Sequence, residues 1–258
     1  MDPRLSAMGL FSLLLTSCVG STGGDLVTFA AAAAGPSDTT QVAPLEFVND
    51  RGWHVVLTDA LLHVGAVYLN QNIPVSGAQN TSCILPGTYV AQVTTGMDVN
   101  ILSPELQPFP APGTGVTIAA LAGQVWLTGG DINTITDRTP ILVIAGGADH
   151  EGTSFSFTGT VTIADNRTAS ATPNQLAGAS PICKQRIVSP IPTSVEPLTT
   201  GRFVLRIDPR PLFANVDFGA ATITGGVYAF RDDSSDQPSR NLYQNLHSSA
   251  PYRFVWEP

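Results

Sequence analysis

Two of the four histidines in this 258-residue chain stand close together, in Gly52-Trp53-His54-Val55-Val56-Leu57-Thr58-Asp59-Ala60-Leu61-Leu62-His63, beside a tryptophan. Imidazoles are common ligands of copper and zinc, so local geometry decides whether His54 and His63 can share an ion. If Trp53 to Leu69 is one continuous strand, the two lie on opposite faces and about 30 Å apart at ~3.3 Å per residue, and no metal joins them. If Thr58-Asp59 is a two-residue hairpin, they face one another with Cβ atoms about 5 Å apart, which suits copper or zinc. Thr58 is β-branched and disfavours the positive φ of such a turn, so the single strand or a looser turn is expected.

A second candidate is the acidic segment Asp232-Asp233-Ser234-Ser235-Asp236. Oxygen side chains at Asp232, Ser234 and Asp236 alternate as calcium loops do at their start. Gln237 then stands where the EF-hand needs glycine and Tyr243 where it needs glutamate, so a solvated turn is expected, with calcium bound in some other geometry as the alternative. Catalytic spacings fail. Gly152-Thr153-Ser154 lacks the surroundings of a nucleophile elbow, and His150-Glu151 lacks the second histidine of a zinc-protease helix. A triad assembled only in space leaves no local trace, so a secreted hydrolase stays as the third reading.

The three cysteines divide by context. Cys18 follows a short apolar run, Met8 to Leu15, behind a segment carrying Arg4. Such a run is too short to span a bilayer as a helix and reads as a leader over residues 1–17. Leu15-Thr16-Ser17-Cys18 resembles the lipobox of bacterial lipoproteins, and the resemblance implies cleavage before Cys18 and a diacylglycerol on its sulfur. Asp2, which offsets Arg4, is a departure from the charged region of such leaders. Export places Cys83 and Cys183 in an oxidising compartment, where we expect them to bond. Closing a loop of roughly 100 residues constrains the unfolded chain by at most about 4–5 kcal/mol.

Elements that could position these groups are strands. With 24 Gly, 20 Pro and 12% charged residues, the composition suits a turn-rich β protein. A formal charge of −8 argues against a nucleic-acid partner, which needs a basic stripe, and against electrostatic docking on anionic lipid. Residues 18–44, rich in Gly, Ser, Thr and Ala and including Ala30 to Ala34, read as a flexible tether. A single domain is then expected over 45–258. Phe155, Phe157, Val161 and Ile163 alternate with small polar residues, and Phe203, Leu205 and Ile207 alternate against Arg202 and Arg206. One-sided strands of this kind predict an all-β fold, an antiparallel β-sandwich, with one short helix near 241–247. Tyr252, Phe254 and Trp256 share a face that is expected to be core, with an exposed sugar-binding platform as the alternative.

The run Trp53 to Leu69, with Phe203 to Phe218, is similar to exported copper-associated β proteins of the methanobactin and methanotroph surface type. That resemblance implies copper held by His54 and His63, with Trp53 as the modified tryptophan. The leading expectation is a lipid-anchored cell-envelope module that binds a partner or supports an assembly without catalysis. A periplasmic copper binder and a secreted hydrolase follow. No aspartate follows Cys18 directly, and the enterobacterial sorting rule then implies an outer-membrane lipoprotein that reaches the membrane through its lipid.

Overall fold

Strands in which apolar residues alternate with Thr, Ser and Arg have one face to bury, and two sheets do so here. The computed structural model describes residues 23–39, 43–73, 87–128, 139–162, 186–230 and 236–258. In chain order the strands are β1 (Leu26–Ala34), β2 (Leu45–Val48), β3 (His54–Val64), β4 (Ala66–Asn70), β5 (Tyr89–Val93), β6 (Met97–Asn100), β7 (Gln107–Pro108) and β8 (Gly113–Val116). They continue as β9 (Ala120–Trp126), β10 (Pro140–His150), β11 (Thr153–Thr162), β12 (Ile187–Val195), β13 (Arg202–Ile207), β14 (Val227–Phe230) and β15 (Tyr252–Glu257). One α-helix, α1 (Gln237–Leu246), lies between β14 and β15. The protein is thus all-β with a short helix, as the composition and alternation predict.

One sheet runs β12-β9-β4-β5-β8-β1-β13-β15, with β7 beside β1. Its end strands β12 and β15 approach each other, so it curls almost into a barrel. The other runs β14-β11-β10-β3-β2, with β6 beside β3. Both sheets are mixed rather than purely antiparallel: β1 pairs parallel with β13, and β11 with β14. Parallel neighbours need long crossovers, and alternation within a strand carries no sign of its direction.

Residues 26–34 overturn part of the expected tether. β1 hydrogen-bonds to β8, β7 and β13, and Val27, Phe29 and Ala31 to Ala34 are buried. Alanine has low strand propensity and no large side chain to signal a buried face, yet small residues fit where both faces of a strand are covered. The domain therefore begins by Leu26, not at residue 45.

Trp53 to Leu69 is neither one strand nor a hairpin. The chain leaves β3 at Gly65 and enters β4 in the other sheet. Gly65 meets Gly96, where an added Cβ would lie 3.2 Å from the Gly65 Cα. Within β3 the register against β10 shifts between Leu57 and Asp59. This bulge turns Thr58 and Asp59 outward together, so Val55 and Leu57 before it and Ala60, Leu62 and Val64 after it all point inward.

Between and beside the sheets lie two aromatic groups. Phe157 packs against Phe213, Phe218 and Phe230, and Phe29 and Phe254 against Phe203. The inward alternation expected of Phe155, Phe157 and Val161, and of Phe203, Leu205 and Ile207, is present; Ile163 lies outside the described residues. Tyr252 and Phe254 are buried and Trp256 stands edge-on to Phe29 at 5.2 Å, which makes that face core and not a sugar platform. Helix α1 starts four residues before the expected 241, because Asp236 caps it by accepting from Ser239 N (2.9 Å) and Pro238 occupies its first turn.

Candidate functional site

Past Leu205 the β13 chain carries charges on alternate residues, Arg206, Asp208 and Arg210, and then enters a 3-10 turn at Arg210–Phe213. Two asparagines fix that turn. Asn49 Nδ2 donates to Phe213 O (3.2 Å) and Val216 O (2.8 Å), and Asn245 Nδ2 to Leu212 O (3.0 Å) and Ala214 O (2.7 Å). Leu212 and Phe213 anchor it in the core. Rigid backbone therefore presents Arg210 beside the outer face of β13 and β15.

These elements and residues 36–38 enclose an open cleft of about 470 Å³, lined by Asp38, Arg206, Asp208, Arg210, Arg253 and Glu257 with Pro36, Ser37 and Pro251. Arg210 donates to both Asp38 oxygens (2.8 and 3.0 Å) and to Asp208 Oδ1 and Oδ2 (Nε, 2.9 and 3.0 Å; Nη2, 2.8 Å). Its hydrogen bonds hold the Asp38 carboxyl below the ordinary aspartate range, and both acids keep Arg210 charged at any accessible pH. Arg206 donates to Glu257 Oε1 (2.8 Å) and Pro104 O (3.0 Å). Arg253 lies directly across from Arg206 in the β13–β15 register, is exposed, and has no ion pair or hydrogen bond from its side chain among the described residues. Like charges facing across a ladder repel, which makes this the place in the cleft most open to an incoming anion.

The sequence did not single out this cleft. The alternating signs at Arg206, Asp208 and Arg210 were the available signal, but Asp38, Arg253 and Glu257 join them only through folding.

The residues that the sequence did single out are dispersed. His54 lies on the outer face of β3, its Nδ1 donating to Asp149 Oδ1 (2.9 Å) and its Nε2 3.5 Å from Glu46 Oε2. The Asp149 hydrogen bond, reinforced by the two negative charges, raises the His54 pKa. His63 sits near the far end of the same strand, with Nδ1 donating to Asp98 Oδ1 (2.7 Å). The bulge puts both histidines on one face, correcting the opposite-face expectation, but nearly the length of β3 still separates them, about 30 Å at ~3.3 Å per residue. They cannot share a copper ion. Among the described residues no group of three or more His, Cys, Asp or Glu is placed to hold a metal. Trp53 is 5% exposed, packed between His150 (5.2 Å), Phe155 and Phe218, and serves the core.

Asp236 is the helix cap and also accepts from the Tyr228 hydroxyl (2.8 Å), so its carboxylate is engaged in the fold. Asp232 and Ser234 lie outside the described residues, as do Cys18, Cys83 and Cys183. Both His–Asp pairs resemble two-thirds of a hydrolytic triad. Their remaining Nε2 atoms meet no Ser, Thr or Cys side chain among the described residues, and that of His54 faces a carboxylate. Among the described residues the arginine cleft gathers six charged side chains in one open concavity and offers bidentate donors and acceptors. Comparison of the chain with known protein families, with curated proteins and with solved structures finds no match.

Proposed function

We propose that this protein is a lipid-anchored cell-envelope module that binds a ligand at the arginine cleft without catalysing a reaction on it. The observation that carries this reading is the path of β1. Only residues 19–25 stand between Cys18 and the start of β1, a contour length of about 25 Å at ~3.5 Å per residue. From Leu26 the strand runs about 26 Å at ~3.3 Å per residue and leads directly into residues 36–38, which wall the cleft. An acyl chain on Cys18 would keep the Leu26 end within that contour length of the bilayer, and the cleft would open at the opposite end of β1. Leu26, 89% exposed and next to Val116 and Tyr89, is an apolar residue whose exposure fits that placement.

The test uses the full mature chain in nanodiscs containing a lipid-attached nitroxide. Amides near Leu26 and Val116 should broaden, while those of Asp38 and Arg253 stay sharp. Replacing Cys18 by Ser should move the protein from the membrane to the soluble fraction. An unacylated native chain that still begins at Met1, or stronger broadening at Arg253 than at Leu26, would sink the proposal.

A further inference from the structure

We infer that the cleft takes a small zwitterionic ligand, its carboxylate on Arg253 and its ammonium on the Asp38–Asp208 pair. This deepens the binding reading above and rests on it.

Charge pairing inside the cleft supplies the argument. Asp38 and Asp208 share the single guanidinium of Arg210, so that end carries one carboxylate in excess. Arg206 and Glu257 balance each other. Arg253 is left as a guanidinium without a counter-ion at the other end. The six charges sum to zero, which disfavours a phosphate dianion or any ligand of one sign, because half of the cleft would repel it. A molecule with both signs meets a partner at each end.

Spacing guides the choice of probe. Arg253 pairs with Arg206, and Asp208 follows Arg206 by two residues on the same face, with Asp208 N bonded to Pro251 O (2.8 Å). Arg253 and Asp208 are therefore diagonal neighbours, about 7–8 Å apart at the backbone. An extended chain advances about 3.3–3.6 Å per residue, so a dipeptide is of the same order as that backbone separation and makes a suitable probe. The guanidinium of Arg253 stays clear of the Asp208 carboxylate, beyond ion-pair distance, and this leaves both ends available. A planar fork on Arg253 suits a carboxylate bound through two N–H groups. The strongly hydrated carboxylate of Asp38, its side chain 59% exposed, suits an ammonium that keeps part of its water.

Three probes separate the contributions: glycylglycine with both charges, N-acetylglycine with only the carboxylate, and glycinamide with only the ammonium. Each is titrated into the full mature chain while the arginine Nε–H resonances are followed. Glycylglycine should shift Arg253 saturably, and each single-charge probe should bind at least tenfold more weakly. Arg253→Met and Asp38→Asn should each weaken glycylglycine at least tenfold, and Asp38→Glu should recover part of the loss. Arg253 is exposed and unpaired, so its replacement leaves thermal stability unchanged and isolates binding from folding. Absence of a saturable glycylglycine shift, or equal affinity for N-acetylglycine, overturns the inference. A cleft that instead saturates with N-acetylglycine keeps the binding module and removes only the zwitterion. Loss of the module itself is read separately, from acylation and nanodisc orientation.

Discussion

Replacing Phe29 by Ala tests whether the alanine-rich strand β1 belongs to the core. Phe29 is 3% exposed, with its ring edge-on to Trp256 at 5.2 Å and to Phe203 at 6.3 Å. Truncating a buried phenylalanine removes its transfer free energy and leaves a cavity, together about 3–5 kcal/mol. In a domain of this size ~1 kcal/mol moves Tm by about 2–4 °C, so Tm should fall by roughly 6–20 °C. At a urea slope of ~3 kcal/mol per molar, the midpoint should drop by about 1 M or more. Urea titration followed by tryptophan fluorescence suits the measurement because Trp256 touches the deleted ring. Thr28→Ala, one residue away on the exposed side of β1, is the control and should stay within about 0.5 kcal/mol of wild type. A Phe29→Ala loss as small as that of the control would mean that residues 26–34 contribute nothing to the core and behave as a tether.

Other perturbations probe separate parts of the fold. A Cβ added at Gly123 would overlap the Phe254 ring, so Gly123→Ala should cost about 1–3 kcal/mol, and combining it with Phe254→Leu should restore part of the loss in thermal melts. Asp236→Ala removes the cap of α1 and the acceptor of the Tyr228 hydroxyl; a loss of about 1–2 kcal/mol is expected, and an unchanged Tm would contradict the capping role. His54 has a raised pKa in the fold, caused first by Asp149. Its ion pairs therefore stabilise fully below the unfolded value near 6.5, and that contribution is lost as pH rises through the higher folded value. Asp149→Asn should lower the His54 pKa in an NMR titration, and a titration curve unmoved by that substitution would show that the hydrogen bond does not set it.

How much was legible beforehand differs between elements for physical reasons. Strands β11 and β13 were readable because large apolar side chains alternate with Ser, Thr and Arg, and that spacing leaves one face to bury whatever the partner. Helix α1 was readable in kind but not in its start, since the cap is set by the Asp236 side chain turning onto Ser239 N. β1 is not legible because five consecutive alanines carry no periodicity, and only contact with β13 on one side and β7 on the other makes them a strand. The His54–His63 geometry failed on one residue: a bulge at Thr58-Asp59 reverses side-chain parity along the rest of β3, and its position depends on pairing with β10.

The same division runs through the candidate site. Arg206, Asp208 and Arg210 are neighbours in sequence, so their sharing of one strand end is local. Asp38, Arg253 and Glu257 come from distant segments, brought beside them by the parallel β1–β13 pair and the antiparallel β13–β15 pair. By itself the sequence determined that the chain folds as strands with one helix and where the apolar faces of β11 and β13 lie, because these follow from short-range periodicity. Which strands became neighbours, which bulge turned His54 and His63 onto one face, and which charges gathered in a single cleft were decided by the tertiary structure, because long-range pairing is selected by burial of the whole core and no local spacing encodes it.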